Sequence, residues 1–113
     1  MPRPTPKTIF ILPLLFYAAG CKVKVDADFT SAYPQDRLAA IAEARKTNDP
    51  AAVKPLISLL NSDDPLVRLV ASDTLFRITG EDLGYDYAQP RAKRQEAIDR
   101  WVDWYERSEE AGK

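Results

Sequence analysis

The sequence predicts an all-α fold, a short α-solenoid of about four helices arranged as two helical hairpins. Apolar residues recur at helical spacing in four successive stretches between residues 35 and 108. Turns rich in Asn, Asp and Pro separate the first three stretches, and residues 36–40 align with residues 67–71 at an offset of 31 residues. A repeat of helix, tight turn and helix is typical of solenoid proteins.

Residues 1–20 precede this helical region and have the layout of a secretory signal peptide. Arg3 and Lys7 form a basic start without any acid, and an apolar run over residues 9–19 follows. This run has 11 residues, whereas a helix that crosses a bilayer needs roughly 20. We therefore expect a cleaved leader rather than a permanent membrane span.

The end of the leader, Ala18-Ala19-Gly20-Cys21, resembles the lipobox of bacterial lipoproteins. Only Ala18 departs from the pattern, because a larger aliphatic residue is more usual there. The resemblance implies cleavage between Gly20 and Cys21, with a lipid thioether and N-acylation on Cys21 that anchor the protein to a membrane of the bacterial cell envelope. Lys22 follows Cys21, and the absence of an aspartate there implies an outer-membrane location facing the periplasm.

Composition restricts the chemistry of the mature chain. Without residues 1–20 the chain has 93 residues, and its 14 cationic and 17 acidic side chains give a net charge near −3. This balance argues against a nucleic-acid partner, which requires a basic face. The chain has no histidine, and Cys21 is its single cysteine. Because lipidation would consume that thiol, we expect no enzymatic activity, no cofactor and no small-molecule substrate.

Residues 21–34 form the predicted tether. Val23, Val25, Ala27 and Phe29 alternate with charged residues, a period of two that is typical of extended chain. A single strand has no hydrogen-bonding partner, so we favour an extended stalk. The alternative is that Val23, Val25 and Phe29 fold back and cover one end of the helical domain.

The first two helices are predicted over residues 36–46 and 51–60. Leu38, Ile41 and Ala42 form the apolar face of the first, and residues 47–50 contain the polar and proline residues of a turn. The second has a complete helical stripe, formed by Val53, Leu56, Ile57 and Leu60. Pro55 lies near its first turn, where proline is tolerated.

The third helix is predicted to begin at Pro65 and to end before Gly80. Asp64 is placed to cap its first amides, and Gly80 is suited to a left-handed C-cap. The main apolar stripe consists of Val67, Val70, Ala71, Thr74, Leu75 and Ile78. Leu66, Leu69 and Phe76 form a second apolar edge, which predicts that this helix is packed on two sides.

The fourth helix is predicted over residues 90–107, followed by a polar tail at 109–113. Its broad apolar face is formed by Ala97, Ile98, Trp101, Val102, Trp104 and Tyr105. Core packing is our preferred interpretation of this face, and an aromatic ligand site is the alternative, because Trp and Tyr at helical spacing usually supply burial.

Residues 51–79 resemble short bacterial HEAT repeats. The resemblance rests on Ala52-Val53-Lys54-Pro55-Leu56-Ile57-Ser58-Leu59-Leu60, followed by Asp63-Asp64-Pro65-Leu66-Val67-Arg68-Leu69-Val70-Ala71. It implies that the first segment ends one repeat and the second begins the next. It also implies that Asp73 and Arg77 pair to hold neighbouring repeats in register.

Solenoids bind partners along extended helical faces and have no built-in chemistry. Two repeats are fewer than the usual three, so the fourth helix is predicted to cap the domain, unless another chain supplies the missing neighbour. We expect the partner to be another envelope protein or a second copy of this chain. The predicted partner-binding residues are Lys54, Ser58, Asn61, Arg91, Lys93 and Arg94.

The connection over residues 81–89 carries the alternative function. Glu81, Asp82 and Asp86 supply oxygen ligands that a hard cation prefers, but their spacing matches no calcium loop. Asp82 and Asp86 are thus weak metal candidates, and the alternative is a small envelope enzyme or a metal-binding accessory subunit. The preferred interpretation is a surface connector that Leu83, Tyr85 and Tyr87 hold against the fourth helix.

Overall fold

A computed structural model describes residues 24–112, and within that range the fold is all-α, as predicted. It contains α1 (Pro34–Thr47), a 3-10 turn (Pro50–Ala52), α2 (Val53–Leu59), α3 (Pro65–Thr79) and α4 (Arg91–Ala111). The predicted leader and its cleavage site at Gly20 and Cys21 lie outside the described residues. No helix within residues 24–112 has the length and hydropathy needed to cross a membrane.

The beginnings of α1 and α2 differ slightly from the predicted ones. α1 begins at Pro34, two residues before the predicted start, since proline has no backbone donor to leave unpaired in the first turn. The predicted second helix is divided into the 3-10 turn and a seven-residue α2. Asp49 caps the 3-10 turn by accepting a hydrogen bond from the amide of Ala51 at 2.9 Å.

The predicted ends of α3 are confirmed. The Asp64 carboxylate accepts hydrogen bonds from the amides of Leu66 and Val67 at 2.8 and 3.3 Å. At the other end Gly80 has φ 76°, and its amide donates to the carbonyl of Phe76. Both caps act through short-range contacts, which explains why local sequence specifies them.

α4 continues to Ala111, beyond its predicted end at residue 107. Ser108, Glu109, Glu110 and Ala111 include no helix breaker, and Glu and Ala have high helix propensity. The Ser108 hydroxyl donates to the Trp104 carbonyl at 2.8 Å within the added turn. The helix ends where Gly112 follows.

The four helices share one core. α1 lies against α3, and α2 lies against both α3 and α4. The fully buried side chains at the centre include Ile41, Leu56, Leu60, Val67, Leu75 and Trp101. Trp104 packs on this core and meets Trp101 edge to face, with ring centroids 5.5 Å apart. Core packing is therefore the role of both indoles, as preferred from the sequence.

α3 packs against both α1 and α2, but its predicted second apolar edge is not buried. Its main stripe is buried, but Leu66, Leu69 and Phe76 on the second edge are 53%, 40% and 54% exposed. Within residues 24–112 no further helix covers this edge. The sequence pattern predicted two apolar faces on α3, and only one of them is buried.

The described part of the tether folds back at one position. Phe29 packs against the core, and the amide of Asp28 donates to the carbonyl of Asp36 in α1 at 3.1 Å. The preferred stalk is therefore wrong for residues 28–33, and the alternative holds for Phe29. It does not hold for Val25, which is 48% exposed, and Val23 lies outside the described residues. The backbone amide and hydroxyl of Thr30 both donate to Asp28 and lower the pKa of its carboxyl.

Candidate functional site

The predicted α2 surface consists of Lys54, Ser58 and Asn61, and all three residues are exposed. Lys54 and Ser58 are one helical turn apart, and Asn61 follows in the turn after α2. On one side of Lys54 and Ser58, α2 and α4 enclose a groove of about 230 Å³ whose lining includes Val102 and Tyr105. On the other side is a groove of about 270 Å³ lined by Phe29, Thr30 and Pro55.

The predicted basic surface at the start of α4 is distributed among different contacts. Arg91 and Lys93 are exposed, and Lys93 pairs with Glu96 at 3.5 Å. Arg94 is partly buried, and its Nε donates to the carbonyl of Gln89 at 3.0 Å. Arg94 therefore helps to close the preceding loop, and Arg91 and Lys93 are the side chains that remain exposed.

The α2 surface and the basic surface are separate. The α2–α4 groove beside Lys54 and Ser58 reaches α4 at Val102. Arg94 lies eight positions earlier in the sequence, which corresponds to about 12 Å along the helix axis. The six predicted partner-binding residues therefore form two separate surfaces, one on α2 and one at the start of α4.

The loop over residues 80–90 contains the weak metal candidates, Asp82 and Asp86, and both are exposed. Asp86 accepts a hydrogen bond from the amide of Ala88 at 2.8 Å, which stabilises a turn. Residues 24–112 contain no group of three or more His, Cys, Asp or Glu side chains that could hold a metal ion. The acidic loop therefore gains no support as a metal centre from the geometry.

Three side chains tie this loop to the helices. The Tyr85 hydroxyl donates to the carbonyl of Leu60 at 2.6 Å in a buried contact, and Arg100 Nε of α4 donates to the carbonyl of Leu83 at 2.8 Å. Arg68 of α3 donates to the carbonyls of Ser62, Asp63 and Tyr87 at 2.8, 3.2 and 3.2 Å. The loop is a connector, as preferred from the sequence, but it binds α2 and α3 as well as α4.

Sequence reasoning missed the roles of Arg68 and Arg100. Each donates a hydrogen bond to a backbone carbonyl of the loop, which is 19 residues away in sequence for Arg68 and 17 for Arg100. A carbonyl has no side-chain signature, so no sequence pattern identifies these acceptors. Arg68 does stand out as a charged residue within the apolar start of α3, and this is the one available signal.

Tyr85 is the buried polar group of the loop, with 9% of its surface exposed. Burial raises the pKa of its phenol, because the low-dielectric surroundings disfavour the phenolate. The nearby charges of Arg94 and Arg68 act in the opposite direction. The neutral phenol is also the form that donates to Leu60, so burial and hydrogen bonding favour the same protonation state.

Asp73 connects α1 with α3. Its Oδ2 lies 3.1 Å from Arg45 of α1 and 3.1 Å from Arg77 one turn later in α3. The predicted Asp73–Arg77 pair is present, and Arg45 extends it between helices. All three side chains are more than a third exposed, so the pairs contribute modestly to stability and mainly orient the two helices.

A groove borders the exposed edge of α3. It encloses about 520 Å³ between α3 and the loop. Its lining combines Leu69, Ser72, Asp73 and Phe76 of α3 with Asp82, Tyr85, Asp86 and Tyr87 of the loop and Trp101 of α4. Three of these side chains are acidic and none is basic. Sequence reasoning had identified both parts separately, but the fold brings them together.

Comparisons of this chain with protein-family models, with curated proteins and with solved structures find no match.

Proposed function

We propose that the protein is a lipid-anchored, noncatalytic HEAT-like module that binds another protein of the bacterial cell envelope or a second copy of itself. In this proposal the lipid on Cys21 holds the helical domain at the outer membrane, facing the periplasm. The α2 surface and the exposed residues Arg91 and Lys93 are the predicted contacts with the partner.

One observation carries the proposal: large apolar side chains are exposed along the helices. Leu66, Leu69 and Phe76 of α3 and Val102 of α4 are 40% to 54% exposed. Single exposed apolar residues are common on soluble proteins, but a row on one helix is typical of a surface that meets a partner. α3 also lies against both α1 and α2, and α4 lies against α2, so these contacts join the two predicted hairpins.

The absence of histidine from the sequence supports a noncatalytic role, since histidine is the commonest general base at neutral pH. The raised pKa of Tyr85 has a structural cause, because the phenol donates to a backbone carbonyl. The alternative, a small enzyme or metal-binding subunit acting through Glu81, Asp82 and Asp86, has no specific observation in its favour.

Metabolic labelling with a radioactive or alkyne-tagged fatty acid tests the anchor. We expect the wild-type protein and a Lys22→Gln control to carry the label, and the Cys21→Ser variant to lose it. Lys22 is the matched control because it adjoins the modified residue but supplies no thiol. A labelled band that survives Cys21→Ser would contradict the anchor.

Site-specific crosslinking in intact envelopes tests the partner. A photoreactive amino acid replaces Ser58 in one variant and the exposed Glu109, at the far end of α4, in the control. We expect Ser58 to form a discrete adduct that decreases when Lys54→Glu is added, because the substitution reverses the charge of the same surface. Identical adducts from both positions, or none at Ser58, would contradict a partner on the α2 surface.

A further inference from the structure

The outer edge of α3 has the geometry of a helix-binding surface. Leu66, Leu69, Asp73 and Phe76 follow one another at intervals of three, four and three residues, which places them in one stripe along a helix. The stripe extends over ten positions, about 15 Å of helix. This length matches about three turns of a second helix lying alongside α3.

The loop forms the second wall of this surface and makes it a groove. Tyr85 and Tyr87 line the groove opposite Leu69 and Phe76 of α3. The loop is held in place by the Tyr85, Arg68 and Arg100 hydrogen bonds to backbone carbonyls. A wall tied at three points is already ordered before binding, which reduces the entropic cost of association.

The charge of the groove selects among possible occupants. Asp73 is compensated by Arg45 and Arg77. Asp82 and Asp86 form no ion pair with any side chain in residues 24–112, and no basic residue lines the groove. Arg94 and Arg68 lie near Tyr85 at the groove, but both guanidinium groups donate to backbone carbonyls. The uncompensated charge of the groove is negative.

Trp101 adds a polar group beside the groove. It is 1% exposed and lines the groove, and its indole N–H has no acceptor among the residues that the structure describes. Buried N–H groups normally have a partner. The groove therefore combines apolar side chains with an acidic rim.

We propose that this groove, the α3–loop groove, binds an amphipathic helix of a partner protein, with an apolar stripe against Leu69 and Phe76 and with Lys or Arg beside Asp82 and Asp86. In helix-in-groove recognition the apolar face of an amphipathic helix lies in an apolar groove, and Leu69 and Phe76 supply apolar lining here. This inference rests on the proposed function in that it assumes a partner. It assigns a second contact to α3 and the loop, in addition to the α2 surface.

Two synthetic peptides of about 18 residues, or five helical turns, test the groove. Both carry leucine at every third and fourth position, and the remaining positions are lysine-rich in one and glutamate-rich in the other. Each fluorescent peptide is titrated at low salt with the full-length chain carrying Cys21→Ser, and binding is measured by anisotropy. We expect the lysine-rich peptide to bind at least about tenfold more tightly, because opposite charges attract across the acidic rim.

Substitutions in the protein then identify the surface. Asp82→Asn with Asp86→Asn should weaken the lysine-rich peptide about threefold to tenfold, since each exposed ion pair contributes up to about fivefold. The control, Glu109→Gln with Glu110→Gln, removes the same charge at the end of α4 and should change binding less than about twofold. Phe76→Ser should weaken both peptides, because it removes the apolar anchor.

Three outcomes would overturn the proposal. The first is that neither peptide binds with a Kd below about 1 mM. The second is that both peptides bind equally, and the third is that the two double variants weaken binding to the same extent. The assay uses no lipid and no α2 variant, so these outcomes are distinct from failure of the anchor or of the α2 surface. A groove that fails would leave the crosslink from Ser58 unaffected.

Discussion

α3 has two apolar faces, one buried in the core and one exposed to solvent. Val67, Ala71 and Leu75 on the inner face have no exposed surface. Leu66, Leu69 and Phe76 on the outer face are 40% to 54% exposed. Both faces are rich in large aliphatic or aromatic side chains, and residues of the two faces alternate along the same helix. Hydrophobic patterning thus identifies a face suited to a partner, whereas tertiary packing decides whether the same chain supplies that partner.

The difference between the two faces predicts unequal contributions to stability. A buried side chain gains transfer free energy and dispersion contacts that a half-exposed one lacks. Substitutions on the inner face should therefore lower the free energy of unfolding, while equivalent substitutions on the outer face should affect association instead.

The largest expected effect comes from Leu75→Ala on the inner face. The leucine is fully buried, and its truncation should lower the free energy of unfolding by about 2 to 5 kcal/mol, from lost transfer energy and from the cavity. Urea unfolding followed by circular dichroism measures the change. Leu69→Ala on the outer face is the matched control and should cost less than about 1 kcal/mol. Equal losses would remove the distinction between the faces.

Tyr85→Phe should have the next largest effect, because Tyr85 holds the loop that forms one wall of the α3–loop groove. The substitution keeps the ring but leaves the carbonyl of Leu60 without its 2.6 Å donor. We expect a loss of about 1 to 3 kcal/mol in the free energy of unfolding at pH 7. Tyr87→Phe is the control and should be nearly neutral, since the structure records no hydrogen bond from its hydroxyl within residues 24–112.

Alkaline pH should lower the stability of wild type and of Tyr85→Phe to different extents. The pKa of Tyr85 is raised in the folded protein, so between the unfolded pKa, about 10, and the folded pKa the unfolded chain ionises first. The contribution of Tyr85 is thus fully present below pH 10 and decreases as pH rises further. Wild type should lose more stability than Tyr85→Phe between about pH 9.5 and 11. Parallel pH profiles would contradict a buried, neutral phenol.

Asp64→Ala tests the cap that precedes both faces of α3. The substitution removes the acceptor of the Leu66 and Val67 amides and should cost about 1 kcal/mol, within a usual range of 0.5 to 2. Asp63→Ala is the adjacent control, because the cap uses the Asp64 side chain and Arg68 contacts only the carbonyl of Asp63. Thermal unfolding of both variants measures the difference, and a larger loss in Asp63→Ala would contradict the capping assignment.

The smallest expected effect on stability is that of Phe76→Gln on the outer face. Phe76 is 54% exposed, so the free energy of unfolding should change by no more than about 0.5 kcal/mol. If the outer face mediates self-association, the same variant should also lower the mass measured at high protein concentration by sedimentation equilibrium. A loss of stability similar to that of Leu75→Ala would indicate that the outer face is covered.

The elements that local sequence predicted are those whose signals act within a few residues. The Asp64 cap, Pro65 at the first helical position and the left-handed Gly80 each involve contacts inside one turn, and all were predicted correctly. The end of α4 was predicted at residue 107, but the helix continues to Ala111, because Glu and Ala continue a helix readily.

The candidate site was only partly predictable. The exposure of Lys54 and Ser58 on α2 and of Asn61 in the following turn agrees with their polar character. The hydrogen bonds of Arg68 and Arg100 to loop carbonyls and the docking of Phe29 on the core depend on contacts between distant segments. Such contacts leave no periodic signal, because a backbone carbonyl is present at every residue.

The sequence by itself determined the all-α class, the approximate helix bounds, the caps of α3 and the presence of two apolar faces on that helix. Tertiary structure alone decided which face is buried and brought Asp82 and Asp86 of the loop beside the other face. The physical reason is the range of the interactions. Helix periodicity and capping depend on residues three or four positions apart, whereas burial depends on which distant segment lies against a face.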